Sequence, residues 1–126
     1  MIAYLDTNAV IRLAQGSTGR LGREVLRLIE TAELLISPVV LLELEFLYEI
    51  ERIKLRSRDI QRKIEAELGV RLCALPFTDI ANAALDEKWT RDPFDRLIVA
   101  NAKANGFAPL VSADEKIAKH YPRTVW

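Results

Sequence analysis

The sequence predicts an α/β fold: one parallel sheet of four or five short strands, sandwiched by helices. Three observations carry this. Short, continuously apolar, β-rich runs recur along the chain, and stretches with apolar residues at 3–4 spacing lie between them. Capping residues, prolines and glycines sit where those helices would start and stop. Strands that alternate with helices form parallel sheets, and parallel strands are buried on both faces, so they read as unbroken apolar runs.

The elements follow in order. "IAYL" at 2–5 is the first strand, and it stops at Asp6, which could cap a following helix. "QGSTGRLGR" at 15–23 lacks the Gly-Lys-Ser/Thr of a phosphate-binding loop and reads as a flexible turn. A helix over 21–32 leads to the strand "LLIS" at 34–37. Ser37-Pro38 then opens a long helix over 38–55, and a second helix covers 58–68 and stops at Gly69. "VRLCAL" at 70–75 is the third strand, followed by a helix over 79–88. Asp92-Pro93 caps a helix over 93–105 that stops at Gly106. "PLVS" at 109–112 is the fourth strand. Ser112-Ala113-Asp114-Glu115 matches a capping box, and "RTVW" at 123–126 is a candidate fifth strand.

At 126 residues the chain is one domain, residues 1–126, with no linker or internal repeat. No apolar run approaches the roughly 20 residues of a membrane span, and the N-terminus has no signal-peptide pattern, so a cytoplasmic protein is expected. Its one cysteine, Cys73, lies in an apolar run and reads as a buried thiol. Formal charge is zero, which leaves no global field to attract nucleic acid. The basic tract "ERIKLRSRDIQRK" has interleaved acids and reads as a solvated helical face.

The acids are more informative. In an open α/β sheet, ligands bind beyond the carboxyl ends of the strands. Asp6 ends the first strand and Asp114 follows the fourth, so both belong to that edge. Stepping about 100° per residue from Glu43 puts Val39, Val40, Phe46, Leu47 and Ile50 on its face, while Glu45 and Glu49 point away. Glu43 is therefore expected inside an apolar stripe with no basic partner on it, where a lone carboxylate is costly. Asp95 repeats this, with Ile98, Val99 and Ala102 on its face. Clustered carboxylates raise one another's pKa unless a cation lies among them, and oxygen ligands without His or Cys select Mg²⁺ or Mn²⁺.

Such a site suits phosphodiester hydrolysis, in which a metal-bound water attacks and charge on the phosphoryl oxygens is offset. Thr7, Asn8 and Ser112 are neutral donors placed to orient ligands or water. Other acidic α/β sites fit less well. A haloacid-dehalogenase-type phosphatase needs an Asp where "DTN" has Asn8, and a receiver domain needs an Asp where the third strand runs into Pro76-Phe77.

"YLDTNAVI", "SPVVLLEL", "RDPFDRLIVANA" and "LVSAD" resemble, in order and spacing over nearly the whole chain, the PIN-domain ribonucleases, and among them the VapC-type toxins of toxin–antitoxin modules. The resemblance implies a sheet order of 3-2-1-4-5, a Mg²⁺- or Mn²⁺-dependent endoribonuclease acting on RNA, and inhibition by a cognate VapB-like antitoxin. The family's four acids fall on Asp6, Glu43, Asp95 and Asp114, and its fourth block commonly carries Thr where this chain has Ser112. Asp92 also matches the pattern but is read as a helix cap, and Arg96 as a partner for a nearby acid. Two alternatives stay open: an RNA-processing nuclease without an antitoxin, and an RNA-binding module that has lost catalysis.

His120, Trp89 and Trp126 read as surface, packing or interface residues. Leu41, Leu44 and Tyr48 lie off the main apolar stripe of the 38–55 helix, more than one core needs, so a homodimer is expected. The resemblance also favours one.

Overall fold

The structure is a computed structural model that describes residues 1–17 and 19–126; Thr18, in the predicted glycine-bearing turn, lies outside the described residues. The elements are β1 (Ile2–Leu5), α1 (Thr7–Ala14), α2 (Arg23–Thr31), β2 (Glu33–Ile36), α3 (Val39–Glu49), α4 (Ser57–Leu68), β3 (Arg71–Leu72), α5 (Phe77–Ala84), α6 (Pro93–Ala104), β4 (Leu110–Val111), α7 (Glu115–His120) and β5 (Thr124–Val125). The strands form a five-stranded sheet in the order β3-β2-β1-β4-β5, every pairing parallel, as expected.

β1 is the central strand, and its Ala3, Tyr4 and Leu5 are fully buried. Its register sets the edge that matters for function. Leu5 pairs with Val111, the Asp6 amide donates to the Val111 carbonyl at 3.1 Å, and the Ser112 amide donates to Val125 at 3.0 Å. The carboxyl ends of β1, β4 and β5 therefore lie level. α3 packs against both α4 and α6, and α5 packs against α6. The free Cys73 thiol is buried, as expected, and it anchors a polar network unforeseen in the sequence. The Tyr4 hydroxyl and Asn101 Nδ2 each donate to Cys73 Sγ at 3.0 Å, and Asn105 Nδ2 donates to the Tyr4 hydroxyl at 2.8 Å.

Several boundaries differ from the sequence expectation. α1 and α7 are absent from the periodic spans because, at eight and six residues, they are shorter than the window in which helical periodicity shows. The expected helix 79–88 is Phe77–Ala84, beginning directly after Pro76. The expected strand 70–75 pairs only at Arg71–Leu72. The largest correction concerns the 38–55 helix, which ends at Glu49. Glu51 turns left-handed (φ +63°), its amide donates to Tyr48 at 3.0 Å, and the Arg52 amide donates to Leu47 at 2.8 Å. That is a Schellman closure without its usual glycine. α4 closes with the expected one, Gly69, at φ +68°.

Candidate metal and active site

Three of the acids begin helices. Asp6 is the N-cap of α1 and accepts the Ala9 amide on Oδ1 at 2.8 Å. Asp92 is the N-cap of α6 and accepts the Phe94 and Asp95 amides on Oδ1 at 2.8 and 3.3 Å. Asp114 is the N-cap of α7 and accepts the Lys116 and Ile117 amides on Oδ1 at 2.8 and 3.0 Å. The expected capping box started two residues too early: Ser112 is not the cap, and its Oγ instead accepts the Asp114 amide at 3.1 Å. Each cap uses one carboxylate oxygen for the helix amides, so the other is not committed to the helix.

Glu43 and Asp95 come from helices that pack together, α3 and α6. Both are half-buried. The expected stripe around Glu43 is partly corrected: Val40 and Leu44 are its fully buried residues, whereas Phe46 and Ile50 are 46 % and 45 % exposed. Glu43 lies at the margin of the buried face rather than at its centre. There the Thr7 hydroxyl, at the start of α1, donates to Glu43 Oε1. Glu45, expected to point away into solvent, accepts from Arg56 at 2.6 Å and from the Ser57 amide at 3.2 Å, which fastens the start of α4.

The electrostatics tie these acids to one another. Burial pushes the Asp6 carboxyl up from the usual range and Asp114 adds to it, while the Ser112 hydroxyl and the Ala9 amide offset part of the shift. Burial likewise raises Glu43, helped by the charges of Asp92 and Asp6 and opposed by the Thr7 hydrogen bond. Asp95 is pushed up to about 7, first by burial and then by Asp92, Asp114, Glu43 and Asp6; no hydrogen bond offsets it. The four predicted acids thus lie near enough for their charges to act on one another, and Asp92 acts on Glu43 and Asp95 as well. The sequence reading set Asp92 aside as a cap; it caps the helix and faces the acids as well.

The neutral candidates divide. Thr7 and Ser112 are buried among the acids. Asn8 is exposed on the first turn of α1, and no side-chain hydrogen bond joins it to an acid among the described residues. Arg96 does not pair with an acid: its Nε donates to the Thr90 carbonyl at 2.7 Å and steadies the loop before α6. Trp89 stacks on His120 and its Nε1 donates to the buried Glu87 at 2.7 Å, while Arg12 lies over Trp126; Trp89 is half-buried, and His120 and Trp126 are exposed.

A sequence-family model, the PIN domain, matches residues 3–121. The chain belongs to the PIN domain family. PIN domains are nucleases that generally use divalent metals. Two solved structures share the fold. VapBC2 from Rickettsia felis, bound to a DNA fragment from its promoter, superposes with a TM-score of 0.65 at 22 % identity, covering 99 % of this chain and 96 % of that one. A toxin–antitoxin complex from Klebsiella pneumoniae superposes at 0.64 and 22 % identity, covering 98 % and 96 %. No curated protein shows a significant match. No helix among the described residues is long and apolar enough to cross a membrane.

The donors of this PIN domain suit a hard dication in kind. They are oxygens alone, their repulsion is mutual, and none of the five ion pairs among the described residues involves Asp6, Glu43, Asp92, Asp95 or Asp114. They are not drawn into one coordination sphere: among the described residues no three Asp, Glu, His or Cys side chains stand as a ready metal cluster. Neighbouring carboxylates repel one another, and a cation between them would offset that repulsion.

Proposed function

We propose that this PIN domain is a Mg²⁺- or Mn²⁺-dependent endoribonuclease and the toxin of a toxin–antitoxin pair, restrained by a VapB-like antitoxin. The observation that carries the nuclease reading is that the charges of Asp6, Glu43, Asp95 and Asp114 act on one another near the carboxyl edge of the sheet, with no ion pair to any of them among the described residues. These four would hold the ion. When bound, it would lower the pKa of a water ligand and offset charge on the phosphoryl oxygens. The chain's own residues do the positioning. Thr7 fixes the Glu43 carboxylate by hydrogen bonding to it, Ser112 serves Asp6 and the Asp114 loop, and the three helix caps hold their acids at defined rotamers. The antitoxin part of the reading draws its support from the fold shared with VapBC2 of Rickettsia felis and the Klebsiella pneumoniae complex.

Asp6→Asn tests this most directly, because Asn caps a helix about as well as Asp but lacks the anionic ligand. RNA cleavage with Mg²⁺ should fall by roughly a hundred-fold or more, since metal-ligand acids act as a unit. Thermal stability should stay level or rise, because one of the mutually repelling carboxylates is gone. Near-normal cleavage, or an unfolded variant, would show that Asp6 is a structural cap only. Co-expression with the product of a small neighbouring gene, scored by relief of growth arrest, tests the antitoxin.

A further inference from the structure

Phe46 and Phe94 form a stacked pair, with ring centroids 6.4 Å apart and planes inclined by 29°. Neither ring belongs to a hydrophobic core cluster, and Phe46 is 46 % exposed. The fold does not need these rings at its centre. Their positions attach them to the acids instead. Phe46 lies one turn along α3 from Glu43, where side chains three apart are neighbours. Phe94 directly precedes Asp95, and its amide donates to the Asp92 carboxylate at 2.8 Å.

Without a bound cation the acids repel a phosphate backbone, and the formal charge of zero gives no global attraction. Stacking does not depend on charge, and every base has a π-face, so an accessible ring beside the acids, such as the half-exposed Phe46, can add affinity. A base paired inside a duplex cannot reach such a ring, whereas an unpaired one can be splayed onto it. We propose that Phe46 and Phe94 form a platform that stacks an unpaired base of single-stranded RNA whose adjoining phosphate lies at the acids. This deepens the endoribonuclease reading and rests on it.

The test uses the full chain and a short single-stranded RNA carrying 2-aminopurine at each position in turn. In EDTA, binding should quench fluorescence at one register. Phe46→Leu and Phe94→Leu should abolish the quench and, with Mg²⁺, raise KM roughly ten-fold or more with a smaller effect on kcat. Phe46→Tyr, which keeps an aromatic face, should keep the quench. Circular dichroism checks folding, and should Phe94→Leu unfold, the exposed Phe46 position decides alone. Unchanged KM and quench in the Leu variants overturn the platform while the nuclease reading stands. A wild-type chain that cleaves no RNA removes both. Duplex RNA binding as tightly as the single strand, or Leu variants that lose only antitoxin binding, also overturns the platform, the latter by making this face a protein interface.

Discussion

Asp95 is where the site's electrostatic conflict is greatest, and a pH dependence follows from it. A carboxyl whose folded pKa exceeds its unfolded value binds its proton more tightly in the folded state. Its contribution to stability is therefore full below about pH 4 and is lost as pH rises through its folded value of about 7. Asp6 and Glu43 are shifted in the same direction. In EDTA the melting temperature should fall between pH 5 and 8, and Asp95→Asn should flatten that fall. Mg²⁺ should raise the melting temperature more at pH 8 than at pH 5, since deprotonated acids are the ones that bind it. Calorimetry across pH checks both, and an Asp95→Asn profile parallel to wild type would count against the assignment. Asp6 and Asp114 were legible in the sequence because strand ends define the edge. Asp92 was underweighted because its capping role looked sufficient, yet one carboxylate oxygen satisfies the helix amides and the charge remains to act on its neighbours. Asn8 and Arg96 show the reverse: motif neighbours that the fold turns elsewhere.

α3 shows which features of an element a sequence conceals. Its apolar periodicity runs on past Glu49, and no glycine marks the break, so the span reads as far as residue 55. The chain turns at Glu51, which takes a left-handed conformation that costs an L-residue roughly 1 kcal/mol. Glu51→Gly should relieve that strain and stabilise the protein by up to about 1 kcal/mol, the gain being reduced by glycine's greater freedom in the unfolded chain. Urea denaturation measures it, and a clear loss of stability would mean that the Glu51 side chain holds the turn. Where punctuation is conventional the reading was close: Gly69 closes α4, and Asp92-Pro93 opens α6 within a residue of expectation. The rotation of Glu43 toward the margin of its stripe was not legible, because two neighbouring helices, α4 and α6, divide the surface of α3 between them.

At the scale of the whole molecule, the strand–helix alternation made the parallel sheet legible, whereas the strand order came from the family resemblance; periodicity cannot order strands. The homodimer expectation needs new residues. Leu44 is fully buried, Leu41 packs half-buried against the core, and Tyr48 is half-buried with the Arg56 guanidinium over its ring, so the residues named for self-association are used within the chain. Exposed apolar surface lies on α3, where Leu42 and Phe46 are 64 % and 46 % exposed, and also around α5. Its inner side packs Ile80 and Ala84 against Ala100. Phe77, at the start of α5, and Leu85, just past its end, are each 64 % exposed. We propose that these two side chains meet their counterparts in a second copy. Light scattering should show a dimer at micromolar concentration, and Phe77→Glu with Leu85→Glu should convert it to a monomer without unfolding, because neither side chain is in the core. A monomeric wild type would dismiss self-association. A dimer that survives the double substitution would move the interface off α5, most directly to the exposed Leu42 side of α3, where it would compete with the Phe46 platform for the same surface.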